Sequence, residues 1–242
     1  MNKIPIFAHR GASAYAVENT LRAFKKAKKL GADGIEIDLQ LSKDSIFVVF
    51  HDLNLFRLTG VRKLVSDCDF EELSNYKLGR RVKRLFSQDR MMSFEQVVKW
   101  ANEEQIALNI ELKGSILNNE HVLRQMVQSV ELPEKSHFSS FFEPLLKVVK
   151  ETRPEIETAL IITKKFDWQS MHNRKSYDVI HANKKYYKSQ YLKYCDDAKI
   201  GIRFYGITGA ERFIAHPYPA VIGWITDYPD KVRKVQMNKK IH

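Results

Sequence analysis

The sequence predicts an α/β fold, a TIM (β/α)8 barrel with a small insertion after the second strand. Three observations carry that expectation. Short apolar runs alternate with helical patterns along most of the chain. Eight such runs fit within 242 residues, the usual size of this barrel. No G-x-G-x-x-G follows the first run, which disfavours a doubly wound open sheet.

In chain order, residues 4–8 read as a buried first strand. Leu21, Phe24, Ala27 and Leu30 follow Asn19 at helical spacing, and Gly31 closes that helix. The second strand covers 34 to about 41. An irregular, basic stretch from 52 to about 90 is the insertion. A helical pattern resumes at Ser93 with Glu95 and Gln96 in its first turn. Further strands are expected at 107–112, 137–140, 158–163, 177–181, 201–207 and 221–226, with helices at 120–130, 143–152 and 185–198. The link after Thr163 is short and weakly periodic. The whole chain, 1–242, reads as one domain.

Residues 36–51 read as two strands around a tight turn. A two-residue loop at Lys43-Asp44 would pair Ser42 with Ser45 and, counting outward, Glu36 with His51. His51 would then return beside Glu36 and Asp38. A slip of one residue would turn it to the other face.

Glu36 and Asp38 are two apart on the second strand and so share a face; Asn109, Glu111 and Lys113 repeat the arrangement on a later one. The alternate residues Ile35, Ile37, Leu39, Leu108, Ile110 and Leu112 are apolar and would meet the helices. Burying three unpaired carboxylates costs several kcal/mol each, and a divalent cation held by oxygen ligands resolves the conflict. A structural ion pair of Glu36 or Glu111 with Lys113 or an Arg is the plainer alternative for a single carboxylate.

His9-Arg10-Gly11 closes the first strand. An imidazole there, with an unperturbed pKa of about 6.5, is placed for proton transfer. The Arg10 guanidinium offers a planar fork suited to phosphate. His9 and His51 with a cation between them form a sensible phosphodiester site: one takes a proton, the other gives one, and Lys113 helps hold the developing charge.

These pieces resemble the glycerophosphodiester phosphodiesterase family, a TIM-barrel group related to phosphatidylinositol-specific phospholipase C. The matching segments are His9-Arg10-Gly11, Glu18-Asn19-Thr20, the run from Gly31 to Asp38, Ser42-Lys43-Asp44, Val48 to Asp52, Arg57 to Gly60, Asn109 to Lys113, Ser139-Ser140-Phe141 and Trp224 to Asp230. They occur in the family's order over nearly the whole chain. The resemblance implies that Glu36, Asp38 and Glu111 bind one Mg2+ or Ca2+ and that His9 and His51 are the acid/base pair. It implies that Arg10 and Lys113 contact the phosphate, and that glycerophosphodiesters yield sn-glycerol 3-phosphate and an alcohol. Val17 stands where the family usually has Pro, Ser45 where Gly is usual, and Tyr205 where a Trp lines the site; these bear on substrate preference. Phe141 and His181, both near strand ends, are further candidates to line the pocket.

The formal net charge is +11, with 40 Lys and Arg against 29 Asp and Glu, and it favours anionic encounters without specifying them. Lys77, Arg80, Arg81, Lys83 and Arg84 cluster in the insertion. They can draw in an anionic substrate or rest against an anionic membrane surface, although a solvated basic loop is the commoner meaning of such a run. No module signature for nucleic acid accompanies them. Cys68 and Cys195 are far apart and lack a partner motif, so neither a disulfide framework nor a thiolate metal site is expected. With no leader pattern and no apolar membrane span, the expected location is the cytoplasm. Two alternatives stand beside the hydrolase reading: a lysophospholipase D-like enzyme acting on lipid headgroups, disfavoured by the lack of an apolar insertion element, and a non-catalytic binder of polyanions or membranes.

Overall fold

A computed structural model describes residues 3–173 and 176–238, apart from the side chains of 83, 172 and 173. Eight parallel strands close into a barrel: β1 (Ile6–His9), β2 (Gly34–Leu41), β4 (Ala107–Leu112), β5 (His137–Ser140), β6 (Thr158–Ile161), β7 (Val179–Asn183), β8 (Ile202–Ile207) and β9 (Val221–Thr226). Closure is made by β1, which pairs with β2 on one side and β9 on the other. The short strand β3 (Phe47–Val49) lies antiparallel on β2, outside the ring. Helices α1 (Leu21–Lys29), α4 (Phe94–Glu103), α5 (Glu120–Ser129), α6 (Glu143–Thr152), α7 (Ser189–Asp197) and α8 (Pro229–Met237) lie between or after strands. No helix among the described residues is long and apolar enough to cross a membrane. Cys68 and Cys195 are both free and buried.

The two-residue period sorts the strands as expected. Ile35, Ile37 and Leu39 of β2, with Leu108, Ile110 and Leu112 of β4, are fully buried in one cluster with Phe24, Ala27, Val97 and Trp100. That is the layer between barrel and helices. The inward faces carry Glu36, Asp38, Asn109, Glu111, His137, Ser139, His181 and Arg203, all buried. Toward the strand N-termini the barrel is plugged by Phe7, whose ring packs edge-on to His137 at 5.0 Å. A Cβ on Gly34 would come within 2.4 Å of that ring, so only Gly lets Phe7 fill the floor.

Several elements differ from the sequence reading. Helix α1 is capped by Thr20, whose hydroxyl accepts from the Ala23 N–H at 3.3 Å. After β6 a 3-10 turn, Trp168–Asn173, replaces a helix, as the weak periodicity there suggested. The insertion is not irregular. It carries α2 (Phe56–Thr59), α3 (Phe70–Asn75) and 3-10 turns at Val65–Asp67 and Arg81–Phe86. A small core of its own, with Phe50, Leu55, Leu58, Leu73 and Leu78, holds it under β3. Elements of three to six residues are too short to show a helical period.

The hairpin turns one residue later than expected. Leu39 pairs with Val49 and Leu41 with Phe47, so Ser42 faces Ile46 and the loop has three residues, Lys43, Asp44 and Ser45. The Ser42 hydroxyl accepts from Ile46 N–H at 2.9 Å and donates to Ile46 O at 3.0 Å. Ser45 takes φ +63°, the left-handed residue that closes such a loop. Glu36 and His51 are therefore not cross-strand partners. The Phe50 N–H still donates to Asp38 O at 3.0 Å, after which the chain leaves the ladder. His51 reaches the barrel mouth from that exit rather than from the pleat.

Candidate active site

The site lies at the C-terminal mouth, where β1, β2 and β4 run side by side. Register places His9 beside Glu36, Glu36 beside Asn109 and Asp38 beside Glu111. One oxygen from each of Glu36, Asp38 and Glu111 lies within 4.8 Å of the others, the one such group among the described residues. All three side chains are buried.

A cavity of about 150 Å³ opens over them, lined by His9, Arg10, Glu36, His51, Glu111, Lys113, Phe141, His181 and Tyr205. With Asp38 beneath, every residue singled out in the sequence converges here. Asn109 and Ser139 join the lining, and the Ser139 hydroxyl donates to Asn109 Oδ1 at 2.8 Å. Phe141 sits exposed at the rim, whereas His181 is buried with no hydrogen-bond partner on Nε2. Burial and the Arg203 charge keep the His181 imidazole well below its usual pKa, hence neutral.

The turn after β1 is shaped for this purpose. Arg10 and Gly11 both have positive φ, at +56° and +81°, and a Cβ on Gly11 would meet Ala23 at 2.7 Å. The turn presents the Arg10 N–H to Glu36 Oε2 at 2.8 Å and aims its guanidinium at Glu18, 2.8 Å away, and Asp38, 3.2 Å away. Lys113 contacts both Asp38, at 2.7 Å, and Glu111. Both cations thus meet at Asp38, Lys113 also reaches Glu111, and Glu36 takes the Arg10 backbone N–H; the balance shows in the titration of the three carboxylates. Burial would raise Asp38, but Lys113 and Arg10 outweigh it and hold the carboxyl well below its usual range. Burial, with Asp38 next door, pushes Glu36 up to about 8 and also raises Glu111.

Each histidine is anchored by a carboxylate. His9 Nδ1 lies 2.7 Å from Asp227 Oδ1, and His51 Nδ1 lies 2.7 Å from Asp52 Oδ1. Burial lowers His9, but Glu36 and Asp227 together bring its pKa above the ordinary value. At His51 burial prevails, reinforced by Lys113 and Arg10, and the pKa falls.

Asp52, Asp227, Glu18, Asn19 and Arg57 lie within motifs legible in the sequence, but nothing local in it assigns them a role at the site. Glu18 accepts from Arg57 through both oxygens, at 2.6 and 2.7 Å, as well as from Arg10. The Asn19 amide donates to Asp38 Oδ2 at 2.8 Å. Asp52 also bonds Arg57, so a continuous chain runs from His51 through Asp52, Arg57 and Glu18 to Arg10. The polarity of these motif positions was the available signal; their partners lie up to 218 residues away.

Residues 9–231 match the model of the glycerophosphoryl diester phosphodiesterase family. The chain belongs to that family. It is a phosphoric diester hydrolase by class, as its named relatives indicate. Among these, the chain is 33% identical to a glycerophosphodiester phosphodiesterase of Caldanaerobacter subterraneus subsp. tengcongensis, across 66% of this chain and 67% of the relative. To a Bacillus altitudinis enzyme of the same name it is 28% identical, across 97% and 99%. The fold matches an Oleispira antarctica phosphodiesterase solved with the product sn-glycerol-3-phosphate, with a TM-score of 0.83, 24% identity and 97% of each chain covered. Family membership accords with the TIM barrel and with the order of the nine motifs. The basic cluster of the insertion is not explained by it.

Proposed function

We propose that this family member hydrolyses glycerophosphodiesters to sn-glycerol 3-phosphate and an alcohol, with His9 and His51 exchanging protons and Glu36, Asp38 and Glu111 holding one divalent cation. The observation that carries the reading is the pair of carboxylate-anchored imidazoles over a buried cluster of three acids. The donor set suits a hard cation: it is all oxygen, and one oxygen of each buried carboxylate lies within 4.8 Å of the others. Mg2+ and Ca2+ both meet that description. When bound, such an ion neutralises the acidic cluster and stabilises negative charge on phosphoryl oxygens.

The chain's own residues supply the rest. Arg10 and Lys113, lining the cavity, offer the diester cationic donors. Because Asp227 and Asp52 engage Nδ1 of the two rings, Nε2 is left in each case for the reacting oxygens. One imidazole starts neutral and takes the proton of the attacking hydroxyl as the new P–O bond forms. The other starts protonated and delivers its proton to the departing alkoxide as the old P–O bond breaks. The proton balance is the same whether the nucleophile is water or a glycerol hydroxyl whose cyclic product water then opens. Tyr205, half-buried on β8, and Phe141 at the rim supply apolar walls for glycerol and head group.

Glycerophosphocholine and glycerophosphoethanolamine incubated with the protein and either cation should release sn-glycerol 3-phosphate, read by a coupled dehydrogenase. A folded protein that releases none under any of these conditions would overturn the assignment. We propose a cytoplasmic location, the reading that two distant cysteines without a partner motif favour.

A further inference from the structure

The 3-10 turn Arg81–Phe86 is the most exposed apolar feature of the described residues. Val82, Leu85 and Phe86 are 68%, 62% and 81% exposed. In a 3-10 turn residues three apart eclipse, so Val82 and Leu85 stack on one face and Phe86 follows at its end. The same insertion exposes Leu53 and Phe56, the latter under the Arg62 guanidinium at 5.3 Å. The run is basic and apolar at once, and the turn leaves Val82, Leu85 and Phe86 exposed.

The charges around these side chains are unbalanced. The sequence of residues 77–90 holds six cations, Lys77, Arg80, Arg81, Lys83, Arg84 and Arg90, against one acid, Asp89, which Arg22 already engages at 2.6 Å. Arg80, with a side chain 72% exposed, approaches only Glu18, at 3.7 Å, and that carboxylate is taken by Arg10 and Arg57. The segment also adjoins the site. Arg80 and Phe86 line a groove of about 640 Å³ with Tyr15 and Glu18, and Glu18 is the partner of Arg10 in the catalytic cavity.

We propose that this segment docks the protein on an anionic lipid surface, with Val82, Leu85 and Phe86 entering the interface and the flanking cations meeting lipid phosphates. Apolar tips ringed by Arg and Lys are the pattern that an anionic bilayer rewards, each cation near such a surface being worth about fivefold in affinity. A symmetric contact between two copies of the chain would set the same cations against one another. Nucleic acid would meet the charges but leave Val82 and Leu85 without a role, since neither can stack on a base. The inference rests on the exposed turn and its charge, and it stands whether or not the hydrolytic reading holds.

The test is co-sedimentation with vesicles of phosphatidylcholine alone and of phosphatidylcholine mixed with phosphatidylglycerol. Light scattering and a single-stranded DNA gel shift run alongside. Binding to the mixed vesicles should exceed binding to the neutral ones by about tenfold or more, and weaken with salt. The Val82→Ser/Leu85→Ser/Phe86→Ser protein should lose about tenfold or more of it while melting as the wild type does. If the triple variant is unstable, Phe86→Ser alone makes the same comparison. No recovery with mixed vesicles, or equal recovery of the variant, would overturn the proposal. So would a dimer dissolved by the substitutions, or DNA held more tightly than vesicles and released by them.

Discussion

His9 and Asp227 stand 218 residues apart in the chain, yet their side chains meet at 2.7 Å because β1 and β9 are neighbours in the closed ring. Ser13 donates to the same carboxylate oxygen at 2.8 Å, fixing it from a second side. The pair sets both the orientation of the imidazole and part of its affinity for a proton.

Asp227→Asn should therefore lower kcat by about 10²- to 10⁴-fold with little change in KM, since the tautomer is lost and the pocket is not. The carboxylate helps raise His9, so its loss lowers the imidazole pKa. The pH limb that reports a protonated His9 should move to lower pH. A kcat profile across pH for both proteins reads this directly; an unmoved limb would remove Asp227 from the proton chemistry.

The metal-free protein should lose stability as pH rises. The folded-state pKa of Glu36 is raised from 4.5 to about 8, so folding favours its protonated form. That contribution is full below the unfolded value and disappears as pH climbs through about 8. In chelator the melting temperature should fall across this window, and Glu36→Gln should flatten the fall. Mg2+ or Ca2+ should reverse it with release of a proton, so cation affinity should rise up to about tenfold per pH unit below 8. Calorimetry in buffers of different ionisation enthalpy counts the proton.

Glu18 holds two guanidinium groups while buried, and burial alone would have raised its pKa instead of lowering it. Glu18→Ala removes the carboxylate that bridges the two guanidinium groups, leaving Arg10 with Asp38 and Arg57 with Asp52 alone. The loss should be about 2–4 kcal/mol. For a chain of this length that is about 5–15 °C in melting temperature. Arg10, no longer aimed, should also raise KM. A variant as stable as wild type would mean that solvent replaces the carboxylate.

The hairpin offers a smaller test. Ser45 sits at φ +63°, which is strained for any side chain. Ser45→Gly should stabilise the protein by about 0.5–1 kcal/mol, since glycine enters that region freely. Denaturant unfolding would register the change, and a destabilised variant would contradict the loop geometry.

How much of this was legible depended on the range of the interaction. Alternation along residues 34–41 and 107–112 separated charged from apolar faces, because the pleat has a fixed period and both barrel faces are chemically distinct. The acidic cluster followed at once. The hairpin register did not, because it turns on whether Ser45 closes the loop as a left-handed residue, and serine rarely announces that conformation. Asp52 stands next to the His51 it anchors, but adjacency alone does not fix the side-chain contact, and the partner of Asp227 across the ring closure has no local signature. The insertion was hardest. Its elements of three to six residues are held by contacts under β3, and exposure at Val82, Leu85 and Phe86 leaves no mark on composition.

Phosphorus NMR of glycerophosphocholine turnover by wild type, His9→Ala and His51→Ala, each with Mg2+, with Ca2+ and with chelator, tests the central claim most directly. The account predicts sn-glycerol 3-phosphate from wild type only when a cation is present, and at least about 10³-fold slower turnover in either variant. Undiminished turnover in chelator, or in either variant, would contradict it.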